Sequence, residues 1–207
     1  MPAIPMFHDG SRELQDRFST RKLADRLVEK LARVAFTDAD RAFIESRPLL
    51  FMSTADAQGR PECSYKGGVP GFVRVLDPLT LAFPSYDGNG MFKSLGNLLV
   101  NPHVGLLFID FQTPKRLRVN GVATVQDDDP LLTQFVGAQV IVRVRPEAIF
   151  PNCPRYVHRM EVIEESVYVP HEGRTPPVPE WKTRAEFREV LPPGDPAADA
   201  SAASESR

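Results

Sequence analysis

The sequence predicts a mainly β protein of the α+β class, in which five or six strands form an antiparallel sheet closed into a small barrel. Short apolar or alternating runs recur along the chain and are joined mostly by tight turns. Helical spacing appears near the N-terminus and in one crossover between two such runs. A parallel α/β sheet would need a crossover, usually a helix, between its strands, so the antiparallel arrangement is favoured.

The amino-acid composition limits the kinds of function that the protein can have. The 207 residues are 42% hydrophobic, which suffices for one substantial core, and the formal net charge is −2. No global basic excess indicates nucleic acid, and no run approaches the roughly 20 apolar residues that span a bilayer. Cys63 and Cys153 lie far apart, and the charged N-terminus lacks the apolar core of a secretion signal. We therefore expect a cytoplasmic protein with neither a nucleic-acid nor a membrane partner.

Residues 1–47 are interpreted as an N-terminal helical extension. A helical apolar stripe follows Ser11, the expected N-cap, and we expect it to pack on the main domain. The stripe comprises Leu14, Phe18, Leu23, Leu27, Leu31 and Val34. Thr37 is the expected N-cap of a second short helix that runs through Ile44 and is stopped by Pro48.

Residues 48–168 contain the predicted sheet. Segments with strand character lie at 49–54, 62–66, 72–76, 79–83, 104–111, 116–125 and 138–150. Gly59 lies in the first turn, where a positive φ is expected. Asp129 and Pro130 predict a short helix through Phe135, with the carboxylate as its cap and proline at its first position.

The crossover helix is predicted from the stretch NGMFKSLGNLLVNP at 89–102. Leu95, Leu98 and Leu99 follow helical spacing and should share one face. Lys93 and Ser94 precede them, so a cation and a hydroxyl stand at the helix start, where free N–H groups attract anions. A lysine in a first turn opposes the helix dipole, and a bound anion would reverse that cost. We predict that this helix start holds the phosphate of a cofactor.

Residues 169–207 are rich in proline and charge. Trp181 and Phe187 indicate an arm that packs on this chain or on a partner. The last residues, DPAADASAASESR, lack apolar anchors and predict a disordered tail.

The order of these motifs resembles that of the pyridoxamine 5′-phosphate oxidase-like FMN-binding split-barrel family. The resemblance covers roughly residues 45 to 165 and includes Gly59-Arg60-Pro61, Lys93-Ser94, Asn101-Pro102 and the 116–121 strand. The segment 152–156, Asn-Cys-Pro-Arg-Tyr, is similar to that of the family's flavin-nucleotide-binding branch. The resemblance implies a six-stranded split β-barrel with a short crossover helix. It also implies a homodimer with FMN at the interface.

The resemblance also implies which residues hold FMN. Lys93 and Ser94 match the family's phosphate positions, where the oxidases proper carry two cations and this chain has one. The strand after Gly-Arg-Pro lines the family's FMN site and corresponds here to Ser64, Tyr65 and Lys66.

Two further positions complete the implied site. Arg116 matches a family position that contacts the flavin ring. Asn89 is compatible with both a tight turn and a flavin-loop role. The cysteines and four histidines show no metal-ligand spacing.

The implied function is that of an FMN-dependent oxidoreductase acting on an unidentified small organic substrate. The closing Arg-Leu-x-Pro segment of the true oxidases has no match here, so pyridoxamine 5′-phosphate is not assigned as substrate. No residue is assigned to the chemical step. Two alternatives stay open: a non-catalytic flavin-binding, carrier or sensor module, and a relative that uses deazaflavin or haem.

Overall fold

The computed structural model describes residues 5–199. The chain divides into two compact units, Met1–Ile163 and Glu164–Arg207, each described by itself below. The predicted disordered tail lies mostly outside the described residues, and the predicted boundaries at 47/48 and 168/169 stay predictions.

Three helices open the first unit: α1 (Asp9–Arg17), α2 (Arg21–Leu31) and α3 (Asp38–Glu45). Thr37 caps α3, as predicted. Its hydroxyl accepts a hydrogen bond from the Asp40 backbone N–H at 3.2 Å, and the Asp40 carboxylate accepts from the Thr37 N–H at 2.9 Å. This reciprocal capping box fixes where the chain turns into the helix.

The predicted packing of the N-terminal apolar stripe is wrong. The side chains of Leu14, Phe18, Leu23, Leu27 and Leu31 are exposed. The helix α1 begins at Asp9 after His8, which makes no side-chain cap, rather than after Ser11. Spacing identified the helices correctly but does not tell what covers their apolar face. The segment after α2 joins the sheet at Arg33, which exchanges two backbone hydrogen bonds with Ile149.

Within residues 5–199, seven strands form one antiparallel sheet in the order β2-β1-β5-β6-β7-β4-β3. They are β1 (Leu49–Ala55), β2 (Pro61–Gly67), β3 (Arg74–Asp77), β4 (Thr80–Tyr86), β5 (His103–Asp110), β6 (Lys115–Gln126) and β7 (Ala138–Asn152). The predicted mainly β fold is confirmed, but the strand number of six is wrong. All seven segments with strand character form strands, and the shortest, β3, has four residues and pairs with β4 at one edge of the sheet.

The main core lies on one face of the sheet, and a second, smaller cluster of Ala82, Phe135 and Ile141 is buried on the other face. Leu117, Val119 and Ala123 of β6 are buried, whereas Arg118 and Asn120 between them are exposed, as alternation predicts. Helix α4 (Lys93–Val100) adds Leu95 and Leu98 to this core. Leu99 does not join them, because its side chain is 74% exposed, which corrects the predicted apolar face of this helix.

Two glycines meet specific backbone demands. Gly59 has a φ of +78° in the turn between β1 and β2, as expected. Gly121 lies where the pairing of β6 with β7 shifts register. A Cβ atom at position 121 would overlap the backbone carbonyl of Arg145, so this irregularity requires a residue without a side chain.

The connection between β6 and β7 contains the predicted short helix, here a 3₁₀ helix at Pro130–Gln134. The carboxylate of Asp129 accepts from the Leu131 N–H at 2.9 Å and from Nη2 of Arg143 at 2.9 Å. The hydrogen bond from Arg143 holds the pKa of Asp129 below its usual range, against the opposing effect of burial.

The second unit contains a 3₁₀ helix at Glu180–Thr183, α5 (Ala185–Arg188) and α6 (Pro196–Asp199). The Trp181 and Phe187 rings pack edge to face with centroids 5.7 Å apart. The Lys182 ammonium donates to the Asp195 carboxylate at 2.7 Å. Within residues 5–199, no helix combines the length and the apolar character that crossing a membrane requires.

Candidate functional site

The start of α4 packs near β1 and β2 and has no side-chain cap. Phe92 occupies the N-cap position with φ +48° and makes no capping hydrogen bond. Just before it, the Asn89 side chain accepts from the Met91 N–H at 3.0 Å, which closes a tight turn. The positive end of this helix therefore relies on groups other than its own cap residue for compensation.

Four polar side chains link α4 to β1 and β2. Oε2 of Glu62 accepts hydrogen bonds from the Ser94 hydroxyl at 2.8 Å and from the Thr54 hydroxyl at 3.3 Å. The Asn97 amide in turn donates to Oγ1 of Thr54 at 3.0 Å. We call Thr54, Glu62, Ser94 and Asn97 the Glu62 network. Its carboxylate is the anion that faces the start of α4.

Sequence reasoning did not single out Glu62. The signal that would have found it is the alternation along β2, where Glu62, Ser64 and Lys66 point to one face. In the strand register these three residues pair with Thr54, Met52 and Leu50. Their partners on β1 are buried, so this polar face of β2 lies on the core side of the sheet.

Lys66 places a cation on this face. Its side chain is half-buried, and burial lowers its pKa, whereas the negative charge of Glu62 acts in the opposite direction. Within residues 5–199 no ion pair joins Lys66 to a carboxylate. A half-buried ammonium group without a close counter-ion is a candidate to receive an anionic or electron-rich ligand.

Lys93 places a second cation at the first residue of α4. Its side chain is exposed, and no ion pair involves it in the described part of the chain. The structure thus brings Lys93 and Ser94 to the helix start and sets Ser64 and Lys66 on the adjacent face of β2. Asn89 belongs to the turn that leads into the helix.

Two predicted site residues lie on the opposite face of the sheet. Tyr65 points away from the core, is 60% exposed, and packs edge to face on Phe51 with centroids 6.0 Å apart. Arg116 lies on this same outer face. It pairs with Ile109 of β5, and Leu107, two residues earlier on the same face of β5, pairs with Phe51. A single chain therefore does not bring Tyr65 and Arg116 together with Lys66 and Ser94.

Arg116 has an incomplete set of hydrogen bonds. One terminal nitrogen donates to the backbone carbonyl of Cys153, but Nε is buried and has no partner among the described residues. The Cys153 thiol is exposed, and its pKa is lowered by a hydrogen bond from the Arg155 N–H, with smaller contributions from the charges of Arg155 and Arg116. Residues 5–199 contain no cluster of His, Cys, Asp and Glu suited to a metal ion.

The charges of the residues at this site suit a phosphate-bearing cofactor. Lys93 and Lys66 supply positive charge, and the α4 start adds N–H groups. Arg116 adds a third cation on the outer face, and its Nε is buried without a hydrogen-bond partner among the described residues. One feature of the fit differs from the sequence-based expectation: the Ser94 hydroxyl already donates to Glu62, so its proton is shared with an internal carboxylate.

A family model described as pyridoxamine 5′-phosphate oxidase matches residues 36–162. No curated protein matches the sequence. Solved structures that are similar include HupZ of Group A Streptococcus, 18% identical over 61% of this chain and 99% of its own, with a TM-score of 0.46. The haem storage protein HutZ of Vibrio cholerae is 23% identical over 53% and 90%, with a TM-score of 0.41. An FMN-binding protein of Syntrophomonas wolfei is 14% identical over 69% and 97%, with a TM-score of 0.41.

Proposed function

The chain belongs to the pyridoxamine 5′-phosphate oxidase family, and from this premise we propose that it binds FMN and acts as an FMN-dependent oxidoreductase on a small organic substrate. The observation that supports the proposal most directly is the arrangement at α4. Lys93 stands at an uncapped helix start, and Lys66 lies on the adjacent polar face of β2. A phosphate monoester is the ligand chemistry that such an arrangement favours.

A bound flavin supplies hydride or single-electron transfer, and the protein supplies binding, orientation and electrostatics. Lys93 and the first N–H groups of α4 bind the phosphate in this proposal. Lys66 keeps a positive charge on the half-buried face of β2, where it stabilises developing negative charge. Ser64 lies between Lys66 and Glu62 on that face and adds a hydroxyl.

The absorption spectrum of the purified full-length protein tests this proposal. We expect the two visible bands of an oxidised flavin and release of FMN into the supernatant on denaturation. Colourless protein that leaves the fluorescence of added FMN unchanged would contradict it. A spectrum typical of haem or of a deazaflavin would instead assign that group as the cofactor.

We further propose a homodimer with FMN at its interface. Tyr65 and the half-buried Phe51 form an aromatic pair on the outer face of the sheet, on the side where Arg116 has an unpaired Nε. A second copy that covers this face would bury the pair and bring Arg116 to a shared site. Light scattering of the flavin-loaded protein tests this, because a mass of one chain would contradict it.

Cys63 and Cys153 are free and exposed, which supports a reducing, cytoplasmic location.

A binding module without turnover is the second candidate. It is favoured by the Glu62 network, in which the hydroxyls of Thr54 and Ser94 are engaged with an internal carboxylate. Anaerobic photoreduction followed by mixing with organic acceptors separates the two candidates. Rapid, saturable reoxidation supports the enzyme, and no reoxidation across a broad panel supports the module.

A further inference from the structure

We infer that Glu62 is a specificity-determining residue of the proposed site, because its carboxylate competes with the cofactor's phosphate for the Ser94 hydroxyl. The inference rests on the proposed function and adds a consequence to it. The ratio of the affinities for FMN and riboflavin should therefore be smaller than it would be if only Lys66 and Lys93 acted on the phosphate.

The competition follows from the hydrogen bonds. A serine hydroxyl has one proton, and that of Ser94 is donated to Oε2 of Glu62 at 2.8 Å. Ser94 is 6% exposed, so its side chain has little room to find another partner. A phosphate that takes this proton must displace the carboxylate or leave it with one donor fewer.

The carboxylate is also held in place. The Thr54 hydroxyl, which is 3% exposed, donates to the same oxygen of Glu62, and Asn97 orients Thr54 by donating to it. Both supporting residues are fixed in β1 and α4. Glu62 therefore faces the helix start as part of a built network and does not swing freely on the surface.

Charge acts in the same direction as the hydrogen bonds. Glu62 and a phosphate are like charges, and the half-buried location screens them less than bulk water does. Lys66 lies two positions beyond Ser64 on the same face and offsets part of this repulsion. Lys93 attracts the phosphate from the helix side. Without the charge of Glu62, the attraction of Lys66 and Lys93 for the phosphate should no longer be opposed by a nearby negative charge.

The test compares the affinities for FMN and riboflavin, which share the ring and differ in the phosphate. Both ligands are titrated into the flavin-free full-length protein by fluorescence quenching. Glu62→Gln removes the charge and replaces the carboxylate by an amide oxygen, which is a weaker acceptor for the Ser94 and Thr54 hydroxyls and so holds the Ser94 proton less strongly. We expect FMN to bind roughly tenfold tighter to this variant, the effect of one nearby like charge at a partly exposed site, while riboflavin affinity stays unchanged.

Asp128→Asn is the matched control, because it removes one negative charge in the exposed turn after β6. A gain in FMN affinity no larger than that of the control would overturn the inference. An equal change for FMN and riboflavin would also overturn it, since Glu62 would then act on the ring or the fold. If neither flavin binds to any variant, the proposed function itself fails and this inference fails with it.

Ser94→Ala provides a second measurement. With the shared hydroxyl removed, Glu62→Gln should raise FMN affinity by a clearly smaller factor than it does in the wild-type background. An equal factor in both backgrounds would show that Ser94 is not the group for which the two anions compete, and would overturn the assignment.

Discussion

Asp129 and Glu62 are both carboxylates that accept hydrogen bonds at the start of a helix, yet their surroundings differ. Asp129 is buried, accepts from a helix N–H and pairs with Arg143. Glu62 is half-buried, accepts from two hydroxyls, and has no ion pair in the described part of the chain. The helix that follows Asp129 is capped, and the helix that faces Glu62 is not.

The difference separates a structural carboxylate from one suited to binding. In the Asp129 pair each charge has a fixed partner, so nothing is left for a ligand. At Glu62, the cations Lys66 and Lys93 lie nearby without forming ion pairs among the described residues, and the helix start lacks its cap. Such incomplete compensation is typical of sites that receive a further group.

Breaking the Asp129 pair should have the largest effect on stability. Asp129→Ala removes the cap and leaves Arg143 without its partner, so we expect the free energy of unfolding to fall by about 2–3 kcal/mol. Urea denaturation followed by circular dichroism measures this. Glu62→Gln serves as the comparison and should lower the free energy by less, because the amide oxygen can still accept from the Ser94 and Thr54 hydroxyls. Equal losses in the two variants would remove the distinction between the two carboxylates.

Lys93→Ala should change the affinity for FMN without changing the stability of the fold. Loss of a charge-assisted contact to a phosphate is expected to weaken FMN binding by about 1.5–3 kcal/mol. The free energy of unfolding should stay near that of the wild type, because the side chain is exposed. Equilibrium titration with FMN gives the answer, and an unchanged Kd would refute the assignment of the phosphate to this helix start.

The smallest expected effect concerns pH. The pKa of Asp129 lies below its ordinary value of 3.8, so its contribution to stability is present above that value and is lost as the pH falls through the lower, folded-state pKa. Wild type and Asp129→Asn should therefore differ by a constant free energy near neutral pH and converge in acid. Denaturation at a series of pH values checks this, and a difference that grows in acid would contradict the sign.

The sequence allowed the locally determined features to be predicted. Thr37 and Asp129 cap their helices as expected, because a cap depends on side chains and N–H groups only two or three residues apart. The alternation of β6 likewise identified its buried face, since one strand of 12 residues contains enough repeats to fix the pattern.

Features that depend on distant packing were not predictable in the same way. Leu99 shares helical spacing with Leu95 and Leu98, but an eight-residue helix rests on the sheet along a narrow stripe, and Leu99 falls outside it. Glu62 was missed because a charged residue on an edge strand is usually solvated. Its partner Ser94 is 32 positions away, and spacing within β2 gives no information about what packs above it.

The position of β7 has a consequence for how the chain folds. This strand pairs with β6 on one side and β4 on the other, and no other strand in residues 5–199 joins the β3–β4 hairpin to the rest of the sheet. β4 pairs with residues 138–144 of β7, so the inner edge of the hairpin has no partner strand until that part of β7 has been synthesised. A chain that stopped before residue 138 would leave two separate β segments. The strand made last is thus the one that joins the two parts into a single sheet.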